Sequence, residues 1–250
     1  MSEVIRTNGL GKENILFDVS FSMEKGELVA IMGPSGSGKS TLLYQLSGMD
    51  RPDKGEVIFG EDNICEYSED ESAKMRLNKM GFVFQQMNMI PNLNIMDNII
   101  LPACQSKKAQ KTGKREKEKI KKEATELMKK VGIAGLENRK ITEVSGGQLQ
   151  RACICRAMIN HPELLLADEP TGALNKAASE EIMEEFVRLN QDGTSILIVT
   201  HDSKVASCCD RVIYMVDGKI SGECVLGKYD ISQKHNREIK VSAWLEKHGW

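Results

Sequence analysis

Three stretches of this 250-residue chain carry residue types suited to phosphate chemistry. Gly33, Pro34, Ser35, Gly36, Ser37, Gly38, Lys39, Ser40 and Thr41 read "GPSGSGKST", which fits the spacing G-x-x-x-x-G-K-[ST]. It follows the apolar run "ELVAIM" and precedes the helix-like "TLLYQLSG", the strand-then-helix context that a phosphate-binding loop requires. Glycines let successive backbone N–H groups curl round phosphate oxygens, and the helix N-terminus adds positive potential. Lys39 then reaches the outer phosphates and Ser40 offers magnesium a hydroxyl. Further along, "LLLADEPTGALN" (164–175) ends a buried-looking run on adjacent acids. Asp168 can hold the magnesium, and Glu169, projecting toward the γ-phosphate, can act as general base on an attacking water.

A third stretch, "VSGGQLQR" (144–151), opens another helix on Ser145, Gly146, Gly147 and Gln148. This is a second N–H-rich helix start suited to a phosphate. One chain has little use for two cradles on one nucleotide, whereas two chains head to tail can close both round one ATP.

The elements that position these motifs follow from short apolar runs at 15–23, 27–33, 56–60, 81–86, 164–168, 195–201 and 211–220. Helix-length segments separate the later runs, which predicts a largely parallel sheet covered on both faces. The early runs, joined by the Lys-Gly turns "MEKGE" and "PDKGE", read as an antiparallel piece beside that sheet. No strand pattern occurs between about 87 and 160, which predicts a helical insertion. Within it, the lysine-dense 107–123 reads as a solvated helix face preceded by a loop, with anionic lipid head groups as the alternative partner.

Composition narrows the function class. The chain is 40% hydrophobic and 28% charged, with a formal net charge of -2, so nucleic acid is not expected as a partner. Its seven cysteines form no C-x-x-C and read as free thiols of a reducing cytoplasm. No apolar run approaches the roughly 18–20 residues that would cross a bilayer.

With these motifs in their order, the chain resembles the ATP-binding subunits of ABC transporters. The phosphate loop, Gln85 in "GFVFQQ", "VSGGQ" (144–148), "LLLADEP" (164–170), "TGALN" (171–175) and His201 in "VTHD" carry the resemblance, over roughly residues 3–222. "FVFQQMNMIPNLNIMDNIILP" and "ADEPTGAL" are most similar to the branch that drives macrolide export, lipoprotein release and antimicrobial-peptide defence, whose subunits pair with separate permeases.

The resemblance implies an α/β P-loop NTPase fold, with a mostly parallel core sheet, an antiparallel β subdomain and an α-helical subdomain. Residues 1–222 would form the ATP-binding domain and 223–250 a C-terminal extension. ATP and Mg2+ would be the cofactors, with Ser40, Gln85 and Asp168 holding the metal. Gln85 would also relay contact with the permease, and Ser145 and Gly147 would touch the γ-phosphate of a second copy's ATP. His201 would sense that phosphate beside the base Glu169. The implied function is ATP hydrolysis that powers a permease handling an antimicrobial peptide, macrolide or lipoprotein-like cargo, or alternatively a signalling permease without transport. The permease would hold the chain on the inner face of the cell membrane.

Three departures from the family pattern stand out. No aromatic residue or histidine occurs in residues 1–16 to stack on adenine, and Phe17 reads as core, leaving Leu10 to cover the base. Asn175 stands where the family most often has aspartate, and serves either the dimer interface or as the cap of the next helix. In the extension, Val241, Trp244, Leu245 and His248 share one helical face, which predicts a tail docked on its own domain or on the dimer partner.

Overall fold

The computed structural model describes residues 2–105 and 114–250. Its centre is a six-stranded sheet in the order β10-β9-β3-β8-β7-β6. The strands are β3 (Leu28–Met32), β6 (Met80–Phe84), β7 (Leu164–Asp168), β8 (Ser195–Val199), β9 (Arg211–Val216) and β10 (Lys219–Val225). All pairs are parallel except β9 with β10. Leu28, Ala30 and Met32 enter one core, while Val29 and Ile31 enter another. Apolar side chains on both faces of a pleated strand require cover on both sides.

One cover is a four-stranded antiparallel sheet in the order β2-β1-β4-β5, from β1 (Glu3–Lys12), β2 (Leu16–Glu24), β4 (Lys54–Phe59) and β5 (Asp62–Asn63). It shares its core with helix α1 (Lys39–Leu46). The other face packs on α6 (Lys176–Gln191), α7 (Ser203–Ser207) and α8 (Lys234–Lys247). Helix α2 (Glu69–Lys79), with a capping box between Ser68 and Glu71, leads into β6. Helices α3 (Ile95–Gln105), α4 (Lys114–Lys130) and α5 (Gly146–Met158) share a separate core that includes Ile99, Ala124, Met128 and Cys153. Of the lysine-dense run, 107–113 lie outside the described residues, and the remainder belongs to α4.

Two strand expectations need correction. The run at 27–33 is not part of the antiparallel piece: β3 sits third in the central sheet, between β9 and β8. Its uninterrupted burial is the sign of a strand covered on both faces, and this outweighs the turn signal before it. The run at 211–220 is two strands, because Asp217 (φ 45) and Gly218 (φ 74) make the tight turn between β9 and β10.

The C-terminal extension is built into its own domain. Glu223 to Val225 complete β10, so the extension begins inside a strand. Val241 and Leu245 are buried in the central core. Trp244 and His248 pack on Tyr214 of β9 with ring centroids 6.2 and 6.0 Å away. Buried Arg237 donates to the carbonyls of Ser207, Cys209, Leu226 and Gly227, fastening the extension to the end of α7. Leu245→Ala should therefore destabilise the whole fold by about 2–5 kcal/mol in a urea titration, as for a core leucine. A loosely tethered tail would leave the midpoint unchanged.

Candidate active site

The phosphate loop leaves β3 at Gly33, where backbone and β9 meet closely. A Cβ on Gly33 would lie 2.1 Å from the Met215 carbonyl oxygen and 2.7 Å from Ser37 Oγ, so only glycine fits. The loop turns through Gly38 (φ 93) into α1, exposing Pro34, Ser35 and Gly36 and burying Ser37. Lys39 Nζ folds inward, 2.8 Å from the carbonyls of both Gly33 and Pro34. Burial pulls its ammonium below the ordinary lysine range, opposed by the charges of Glu169 and Asp168. Thr41 follows, partly buried, in the first turn of α1.

Asp168 ends β7 beside this loop. Its two oxygens take hydrogen bonds from Ser40 Oγ (3.2 Å) and Tyr44 Oη (3.4 Å). Ser40 and Tyr44 are four residues apart on α1 and so share a face. Burial pushes the Asp168 carboxyl above the usual carboxylate range, the Ser40 hydrogen bond pulls it back and the charge of Glu169 adds to the rise.

Glu169 turns the other way. Its backbone is left-handed (φ 48), its N–H bonds to the Val199 carbonyl and its Oε1 lies 2.9 Å from His201 Nδ1. Gln85, just beyond β6, rests its amide on Gly172, where a Cβ would come within 2.9 Å of Nε2. The structure thus brings together the phosphate loop, Gln85, Asp168, Glu169 and His201.

Ser145, Gly146, Gly147 and Gln148 stand elsewhere. Ser145 caps α5, its Oγ accepting from Gln148 N while Gln148 Oε1 accepts from Ser145 N. Gly146 and Gly147 lie against Leu174 and Ala178, at the loop after Glu169 and the start of α6. Among the described residues, no hydrogen bond joins this helix start to the chain's own phosphate loop. Asn175 is the cap of α6, its Oδ1 accepting from Ala178 N at 3.0 Å, which fits the simpler of its two readings.

Two sequence expectations fail at the mouth of the loop. Leu10 is fully buried, whereas Phe17 is 46% exposed. The short β1–β2 turn explains the exchange. Leu10 points into the core under the antiparallel sheet, and the Phe17 N–H bonds to the Gly218 carbonyl while Gly218 N–H bonds to Ser37 of the phosphate loop. Ile15, 40% exposed, packs its Cγ2 toward Gly38. Two apolar side chains therefore flank the loop. Sequence reasoning also missed Tyr44, whose signal is its i, i+4 spacing from Ser40.

The sheet, the loop and the paired acids define a nucleotide-hydrolysing cassette of the α/β class. The model for the family described as "ABC transporter" matches residues 16–172, and the chain belongs to that family. The lipoprotein-releasing system ATP-binding protein LolD of Aquifex aeolicus is 41% identical, over 89% of this chain and 98% of its own length. The macrolide export ATP-binding/permease protein MacB of Escherichia coli is 39% identical over 96% of this chain, which spans 37% of that longer protein. The dimeric structure of the cassette MJ0796, from Methanocaldococcus jannaschii, superposes with a TM-score of 0.80 at 38% identity, covering 90% of this chain and all of that one. A second dimeric structure of that cassette, in a post-hydrolysis state with ADP and Pi, gives 0.79 at 36%. This chain is accordingly an ATP-binding ABC ATPase.

The raised Asp168 carboxyl has a measurable consequence. An acid whose folded-state pKa is raised weakens the fold above that value and has no such effect once both states are protonated. Asp168→Asn should raise the urea midpoint at neutral pH, with the gain shrinking as pH falls toward the ordinary aspartate value of about 3.9. An equal midpoint at every pH would contradict the burial argument.

Proposed function

We propose that two copies of this chain close head to tail on two ATP molecules and that the opening and closing drives a separate permease of the macrolide-export or lipoprotein-release type. The observation that carries this reading is the separation within one chain of two phosphate-facing helix starts, at Gly38 and Ser145, with the Glu169 loop between them. Only a second copy brings both to one nucleotide. Similarity to LolD and MacB favours the transport branch, with the permease holding the chain at the inner face of the membrane. Among the described residues, no helix is long and apolar enough to cross a membrane.

Each residue has a task in this reading. Residues 33–41 wrap the phosphates through backbone N–H groups, and Lys39 exchanges its carbonyl contacts for the outer phosphate oxygens. Ser145, Gly146, Gly147 and Gln148 of the partner copy meet the γ-phosphate from the opposite side. Hard oxygen donors suit magnesium, and the paired Ser40 hydroxyl and Asp168 carboxylate form the start of such a set, to which Gln85, following the β6 residue paired with Asp168, would add its amide oxygen. Bound there, the ion would neutralise charge on the phosphates. Glu169 accepts a proton from the water whose oxygen bonds to the γ-phosphorus as the bond to the bridging β–γ oxygen breaks. His201, hydrogen-bonded to Glu169, orients that carboxylate and meets the γ-phosphate. At the nucleoside end, Ile15 and Phe17 receive the base by apolar and stacking contact. A ring face does not discriminate strongly between purines.

Glu169→Gln should cut turnover by roughly a hundredfold or more, about 2.7 kcal/mol of barrier, yet keep ATP affinity and trap a dimer. Light scattering of that variant with ATP decides the matter, since a monomer at micromolar protein rules out the sandwich. Phe17→Ala should weaken ATP and GTP alike by roughly tenfold, about 1.4 kcal/mol. Calorimetric titration reads this directly, and unchanged affinities would remove Phe17 from the base site.

A further inference from the structure

We propose that Gln150 is a positioning residue for Glu169, through which the helix start that grips the partner's ATP governs the carboxylate that acts on the chain's own. The proposal deepens the head-to-tail reading above and rests on it. Gln150 lies on α5, five residues after the Ser145 cap, or roughly 7.5 Å along a helix axis. It is 1% exposed, and its Nε2 donates to the Pro170 carbonyl at 2.7 Å. Pro170 is the residue after Glu169.

The energetics set this side chain apart from ordinary packing. Among the described residues, buried Gln150 Oε1 has no hydrogen-bond partner, so the amide bears an unsatisfied acceptor for the sake of one bond. A buried acceptor left bare costs as much as a typical hydrogen bond returns, or more. An apolar residue of the same shape would cost the fold no more. The value of the amide lies in where its single bond is placed.

That place is a backbone that has to be held. Glu169 has a left-handed conformation, φ 48, which non-glycine residues adopt only when their surroundings enforce it. Three ties enforce it here. The Glu169 N–H bonds to the Val199 carbonyl, the Glu169 carbonyl accepts from Gly172 N–H, and Gln150 fixes the carbonyl of the next residue. The first two belong to β8 and to the loop itself. Only the third comes from α5. When a partner's phosphate engages Ser145, the rigid helix carries that engagement to Pro170 and hence to the Glu169 carboxylate.

The test compares ATP turnover, ATP affinity and dimerisation in full-length variants. Gln150→Met keeps the shape and removes the donor; kcat should fall roughly tenfold while KM and ATP affinity stay within about twofold. Gln150→Glu can donate to Pro170 only when protonated, so its kcat should rise toward wild type as pH falls, a profile that a packing role would not produce. Glu181→Gln, which weakens the neighbouring exposed Arg151–Glu181 tie between α5 and α6, should leave kcat within about twofold. With Glu169→Gln, the Gln150→Met chain should still dimerise on ATP. A wild-type kcat in Gln150→Met, or a flat acid profile in Gln150→Glu matching the methionine variant, overturns the proposal and leaves the dimer reading intact. A Glu169→Gln chain that stays monomeric with ATP overturns the dimer reading, and the coupling falls with it.

Discussion

Two carboxylates on consecutive residues at the end of a buried strand repel each other and both lose hydration. The arrangement round β7 answers that difficulty by sending them apart. Asp168 continues the extended strand and turns to α1, where two hydroxyls donate to it. Glu169 steps into a left-handed conformation and turns to His201 on the neighbouring strand's loop. The division of labour proposed for the two acids, one toward a metal and the other toward a proton, rests on that single change of backbone direction.

The parallel sheet makes the division possible. Because β3, β7 and β8 run side by side in one direction, the phosphate loop, the acid pair and His201 all emerge at the same edge. The loop is clasped from behind by the β9–β10 hairpin, through Met215 at Gly33 and Gly218 at Ser37. Nothing needs to fold over the site to gather its residues. What the single chain does not gather is the Ser145 helix start, whose cap faces the Glu169 loop from outside.

The parts of this site that were legible in the sequence are those whose chemistry fixes residue type and spacing together. That Lys39, Ser40, Asp168 and Glu169 gather at one place is legible in their motifs, because the chemistry those motifs suggest leaves few choices of residue and spacing. The docking of α8 was readable because Val241 and Leu245 repeat at helical spacing. Contacts decided by long-range topology were not legible. Nothing local distinguishes a strand that hairpins with its neighbour from one that enters the main sheet, so the turn before β3 points to the antiparallel piece while the strand lies in the central sheet. Phe17 and Leu10 are both apolar residues in apolar runs, and only the turn between them decides which one reaches solvent. Gln150 reads as one more polar helix residue until Pro170, twenty positions away, comes to rest against it.

The docked C-terminal helix also fixes what light emitted by this protein can report. Both tryptophans of the chain, Trp244 and Trp250, lie at its end, and both rings stand edge-on to Tyr214, with centroids 6.2 and 6.0 Å away. No tryptophan lies in the phosphate loop, at Phe17 or near Glu169. Intrinsic fluorescence therefore reads the seating of α8 on β9, on the far side of the sheet from α1, and a spectral change on adding nucleotide would measure strain carried through the strands.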